Sequence, residues 1–121
     1  MITAVHTLVY ADDADRARAF FRDVLQWPSV DAGHGWLIFR TGPSELGVHP
    51  TDPTSGPHHQ ISLMCDDIRS SLADLRDRGV EITQDVRDDG FGLTAMFEVP
   101  GAGEMMIYEP RHPSAFDLGC T

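Results

Sequence analysis

Val5-His6-Thr7-Leu8-Val9-Tyr10-Ala11-Asp12-Asp13 decides how this chain folds, because the chain holds a second version of it. The second version is His59-Gln60-Ile61-Ser62-Leu63-Met64-Cys65-Asp66-Asp67. In each, a polar side chain opens an apolar run, an acidic pair closes it, and a helical pattern follows. His6 to Gln60 and Asp13 to Asp67 are both 54 positions apart, and the same offset matches Ala19 with Ala73, Arg22 with Arg76 and Asp23 with Asp77. A chain built from two versions of one unit is expected to put its working site between them.

Working outward, residues 4–11 alternate and are rich in valine, leucine and tyrosine, the pattern of a strand with His6, Leu8 and Tyr10 on one face. Asp12 or Asp13 supplies an N-cap, and Ala17, Phe20, Phe21, Val24 and Leu25 recur at helical spacing through 14–26, where Pro28 closes the helix. A short strand at Val30, a turn at Gly33-His34-Gly35, a strand over 36–40, a turn at 41–44 and a strand over 45–49 complete the first unit. Residues 51–57 (Thr-Asp-Pro-Thr-Ser-Gly-Pro) have a linker's composition. The second unit repeats the scheme. It has a strand over 59–65, then a helix from the Asp66/Asp67 cap to Arg78 with Ile68, Leu72 and Leu75 on its core face and Gly79 as its terminator. Strands over 80–86, 91–99 and 104–109 follow. The expected fold is α+β: two tandem βαβββ units (2–50 and 58–110, with linker 51–57 and tail 111–121) in one domain. They pair into a curved mixed sheet around a central cavity, with the helices outside.

Bulk properties narrow the function classes. The chain has 121 residues, 41% of them apolar and 23% charged, enough for one ordinary hydrophobic core. A net charge of −10 argues against nucleic acid and anionic membrane as partners, since both require a basic footprint. Cys65 and Cys120 suggest neither a disulfide framework nor a metal clip. The first residues carry no basic segment followed by an apolar run, and no run reaches membrane-spanning length, so a cytoplasmic protein is expected. No phosphate loop, nucleophile elbow or nucleotide fingerprint is present.

The repeat, the His6–Asp13 spacing and the run Phe20-Phe21-Arg22-Asp23-Val24-Leu25-Gln26-Trp27 resemble the vicinal oxygen chelate superfamily, which includes glyoxalase I, extradiol dioxygenases, fosfomycin-modifying enzymes and bleomycin-resistance proteins. Gln26 stands where that family commonly has glycine. His58-His59-Gln60-Ile61-Ser62-Leu63, Asp67-Ile68 and Leu75-Arg76-Asp77-Arg78-Gly79-Val80 resemble its second half, so the resemblance covers about residues 2–110. The fold carries both binding proteins and several chemistries.

In the metal-using members a divalent ion takes one ligand from the first and one from the last strand of each unit and chelates two neighbouring substrate oxygens. Carried over, the first position is His6 and the second is Gln60, where histidine is usual. The family's last turn places a glutamate six residues after its proline, and here that position after Pro100 is Met106; Leu46 is the matching position of the first unit. An odd displacement along a strand reverses the face, so Glu109 is expected to point away from a cavity that Met106 and Tyr108 enter. A one-residue shift of the 45–49 strand instead turns Glu45 inward, and Glu104 shares the parity of Met106. This register makes His6, Gln60, Glu45 and Glu104 the fallback metal set.

Two functional readings follow. The leading one is a metal-free protein of the drug-sequestering type, with no cofactor. It binds an apolar or aromatic ligand through His6, Tyr10, Trp36, Phe39, Leu46, Gln60, Met64, Phe97, Met106 and Tyr108, and the resemblance implies a homodimer. The alternative is an enzyme, a dioxygenase or glyoxalase-like lyase/isomerase, with iron, manganese, zinc or nickel on His6, Gln60 and a glutamate. His58 and His59 are neighbours on a strand and face opposite ways, so they do not share an ion. His34 is expected in solvent, and His112 either in solvent or over the cavity mouth.

Overall fold

A computed structural model describes residues 6–48, 50–116 and 118. Helix α1 (Ala14–Ala19) begins at Asp13, whose carboxylate accepts the Arg16 amide at 3.1 Å, and it widens into a π-helical turn over Phe20–Val24. A two-stranded antiparallel hairpin follows, β1 (Ser29–Asp31) with β2 (Leu37–Phe39). The Asp31 carboxylate holds its turn by accepting the Gly33 and Gly35 amides at 2.7 and 3.3 Å.

The second unit forms the larger sheet. Its elements are β3 (Ser62–Met64), α2 (Ile68–Asp77), β4 (Ile82–Asp88), β5 (Gly92–Val99) and β6 (Gly103–Pro110). The sheet order is β3-β6-β5-β4, with β3 parallel to β6 and the other pairs antiparallel. This is the expected strand–helix–three-strand unit. Helix α2 starts on the Asp67 cap and ends in a Schellman turn: Gly79, at φ +82°, donates to the Arg76 carbonyl at 3.0 Å, and Val80 donates to Leu75 at 2.9 Å. Gly92 has no room for a side chain, because a Cβ there would collide with the Glu109 carbonyl on β6.

The first unit departs from expectation. Residues 6–11 and 41–48 carry no strand, and Ala4, Val5 and His49, the remaining residues of those expected strands, lie outside the described residues. The physical reason is missing partners. A strand is held by a hydrogen-bonded neighbour, and here Tyr10 is 90% and Val48 91% exposed, with Leu8 and Leu46 also in solvent.

The core lies between the two helices and one face of the larger sheet. Phe20 and Phe21 from the π turn meet Ile68, Leu72 and Leu75 of α2 and Ala95, Phe97, Val99, Met105 and Ile107 of the sheet. Phe20 stacks on Phe97 with ring centres 6.1 Å apart. Hydrogen bonds to main-chain carbonyls tie the two units: the Asp13 amide donates to Gly101 at 3.1 Å, and the Arg78 guanidinium donates to Val24 at 2.6 Å. Both helices therefore serve one face of the sheet, and the opposite face carries Tyr108 on β6 and Met64 on β3, with the Tyr108 hydroxyl reaching Glu45 of the 41–47 segment. Phe97 on β5 sits across from Met105 on β6, one residue out of phase with Tyr108 and Met64, so strand alternation puts it in the core.

Candidate functional site

A cavity of about 1010 Å³ opens between the first unit and the β3 edge of the larger sheet. Its walls come from the 6–9 segment, the inner side of α1, the hairpin, the 41–47 loop, β3, Tyr108 and the tail from His112 to Phe116. Aromatic rings supply much of that wall. Phe21 stacks on Trp27 at 5.3 Å with the planes 9° apart and meets Phe39 at 5.8 Å. The Arg18 guanidinium lies 5.2 Å from the centre of the Trp36 ring, while its Nη1 pairs with Asp15 at 3.2 Å.

Glu45 is the polar centre of the wall. Its side chain is only 14% exposed. The carboxylate accepts the Tyr108 hydroxyl at 3.3 Å and the Ala115 amide at 2.9 Å, and His112 Nε2 lies 3.8 Å away. Tyr108 in turn packs edge-on against Phe91, with ring centres 6.0 Å apart, and lies 6.2 Å from the His112 ring. Burial first, and then the Glu45 charge and its hydrogen bond, push the Tyr108 phenol above its usual range. Loss of a proton there would put a second negative charge beside Glu45 in a half-buried site.

Seven of the ten residues expected to hold a ligand line this cavity: His6, Trp36, Phe39, Leu46, Gln60, Met64 and Tyr108. Three do not. Tyr10 points into solvent from the unpaired 6–10 segment, and Phe97 is in the core on the other face of β5. Met106 is half-buried beside the opening and receives the Gln60 amide on its sulfur at 3.7 Å. Glu109 faces away, as the alternation of β6 requires. Its carboxylate accepts the Ile68 amide at 3.1 Å, satisfying a free N–H at the start of α2.

The fallback metal set does not come together. His6, Gln60 and Glu45 share the cavity, but Glu104 sits exposed at the start of β6, where it accepts the Thr83 hydroxyl from the β4 side of the sheet. The turn before β6 delivers Glu104 to the sheet's far end, so strand parity alone could not bring it to the site. Among the described residues no group of three or more histidine, cysteine, aspartate or glutamate side chains is placed to hold a metal ion.

Sequence reasoning missed Arg18, Glu45's tie to the tail, and the tail's place in the wall. Arg18 carried no signal beyond lying on α1. Glu45 was legible only through the alternative register. The tail was legible only in His112, whose expected choice was solvent or the cavity mouth. Its side chain, 38% exposed, lines the cavity.

The family model described as the Glyoxalase/Bleomycin resistance protein/Dioxygenase superfamily matches residues 3–112. No curated protein matches the chain. Solved structures of similar fold include TnmS3, an antibiotic binding protein from Streptomyces sp. CB03234, at 21% identity and TM-score 0.59, covering 90% of this chain and 99% of that one. Lactoylglutathione lyase from Agrobacterium tumefaciens has 19% identity and TM-score 0.61, covering 89% and 94%. A superfamily member from Sphaerobacter thermophilus DSM 20745 has 20% identity and TM-score 0.62, covering 89% and 98%. At these identities the likeness is one of fold. The chain belongs to the glyoxalase/bleomycin resistance protein/dioxygenase superfamily.

Proposed function

We propose that this protein binds a small apolar or aromatic molecule in the cavity between its two halves, without a resident metal, and does so as a cytoplasmic homodimer. The observation that carries the reading is the wall itself, in which stacked aromatic rings and Met64 surround a few fixed polar groups, chiefly Glu45 and Tyr108. Ligand sites are built in this way, with apolar surface for affinity and sparse polar groups for orientation. His6 and Gln60 are the remaining hydrogen-bonding side chains proposed to orient the ligand. The fold likeness to an antibiotic binding protein supports the reading. The homodimer is supported by the apolar side chains of Leu8, Leu46 and Val48, which lie exposed along segments without strand partners. A second subunit would supply those partners and narrow the cavity.

The second reading, a metal-dependent dioxygenase or lyase/isomerase, draws on the likeness to a lactoylglutathione lyase and on His6, Gln60 and Glu45 sharing one cavity. Metal analysis of protein purified without a histidine tag and then supplemented separates the two. The account predicts no stoichiometric iron, manganese, zinc or nickel. A near-equimolar metal that is lost in His6→Ala would overturn the metal-free reading.

A further inference from the structure

Glu45 is a nearly buried carboxylate with no permanent counter-ion. The chain has no lysine, and the arginine in the cavity wall, Arg18, is engaged with Asp15 and the Trp36 ring. Among the described residues no arginine lies within ion-pair distance of Glu45, and its one basic neighbour, His112, is a counter-ion only while protonated. Removing a carboxylate from water is costly unless a charge or several hydrogen bonds compensate. A carboxylate offers about four acceptor sites. Here two donors are seen, the Tyr108 hydroxyl and the Ala115 amide, and both are neutral. The site is thus short of positive charge where the cavity is also rich in rings, and ring faces attract cations.

We infer that the cavity selects aromatic ligands that carry a protonated nitrogen, which docks on Glu45 while the ring system lies against Trp36 and Phe39. This rests on the binding role proposed above. Glu45 has acceptor sites beyond the two in use, and the ligand's N–H takes one of them beside the segment from His112 to Phe116 in the cavity wall. A protonated N–H is a stronger donor to carboxylate than a neutral amide.

The test compares two tricyclic dyes of similar shape, cationic proflavine and neutral acridone, by fluorescence titration at neutral pH. The unmodified protein is expected to prefer proflavine by about tenfold or more, the range of a charge-assisted hydrogen bond. In Glu45→Gln that ratio is expected to collapse toward one. Asp12→Asn removes the same charge from an exposed position outside the cavity and is expected to keep the ratio. A ratio near one in the unmodified protein, a ratio that survives Glu45→Gln, or one that falls equally in Asp12→Asn overturns the inference. In the last case the protein's overall charge of −10 attracts the dye. Acridone binding without a preference overturns this inference alone, whereas binding of neither dye overturns the proposed function as well. A mutation-free arm follows the Ala115 amide by NMR. Proflavine is expected to shift it, because the dye and the amide share the Glu45 carboxylate, and an unmoved amide contradicts docking on Glu45.

Discussion

Glu45 and Tyr108 set the chemistry of the cavity at the scale of single residues. The phenol is held above its usual range by burial and by the neighbouring carboxylate, so two predictions of sign follow. Tyr108 should titrate above the usual phenol range, read as the phenolate absorbance that disappears in Tyr108→Phe, and Glu45→Gln should bring it back toward the ordinary value. For stability, an acid whose proton is held more tightly in the folded state contributes fully below the unfolded-state pKa of about 10 and loses that contribution as pH rises through the folded value. Urea midpoints of the unmodified protein should therefore fall more steeply above that pH than those of Tyr108→Phe. Equal slopes would show that the pair does not couple to folding. The role of Glu45 was hard to read in sequence because it turns on a single step of register. Leu46 and Glu45 both reach the cavity from the 41–47 loop, where no ladder enforces alternation.

At the scale of elements, legibility followed hydrogen bonding. The helices, the hairpin and the last three strands were readable because cap, turn and period agree in each: Asp67 before α2, Gly79 after it, Asp31 in the hairpin, and alternation along β6 that sends Tyr108 to the cavity and Glu109 to the α2 amides. The alternating runs at 4–11 and 45–49 were just as clear as patterns, but a pattern does not supply a neighbour, and the described parts stay unpaired. The end of α1 offers a test at this scale. Gln26 adopts φ +58°, a left-handed conformation that glycine enters without a steric penalty, and it stands where the family commonly has glycine. Relief of about 1–2 kcal/mol of left-handed strain, less roughly 0.5–1 kcal/mol for glycine's extra chain entropy, means that Gln26→Gly should stabilise the fold by about 0.5–1 kcal/mol in urea denaturation. A destabilisation would mean that the side chain contributes contacts outweighing the strain.

For the whole molecule, the asymmetry between halves is the main result. The second unit is a complete sheet with a helix on its core face. The first is a helix and hairpin with exposed apolar side chains, including Leu8, Leu46 and Val48. The strand–helix–three-strand order of the second half was legible in the sequence, whereas its difference from the first half was not, since the two repeated stretches carry nearly the same pattern. If a second copy completes the first unit, sedimentation at micromolar concentration should show a dimer, and Leu8→Asp with Val48→Asp should shift it to monomer. A monomer in the unmodified protein would contradict the pairing.

The central claim is that the cavity holds an aromatic ligand. It is tested most directly by titrating acridone against the tryptophan emission of the unmodified protein and of Met64→Arg, which places a bulky charge in the cavity wall. The account predicts saturable one-site quenching, with Trp27 and Trp36 in the wall as reporters, and loss of saturation in Met64→Arg while the circular dichroism spectrum is retained. Absence of saturable binding to the unmodified protein, or equal binding by the folded variant, would contradict it.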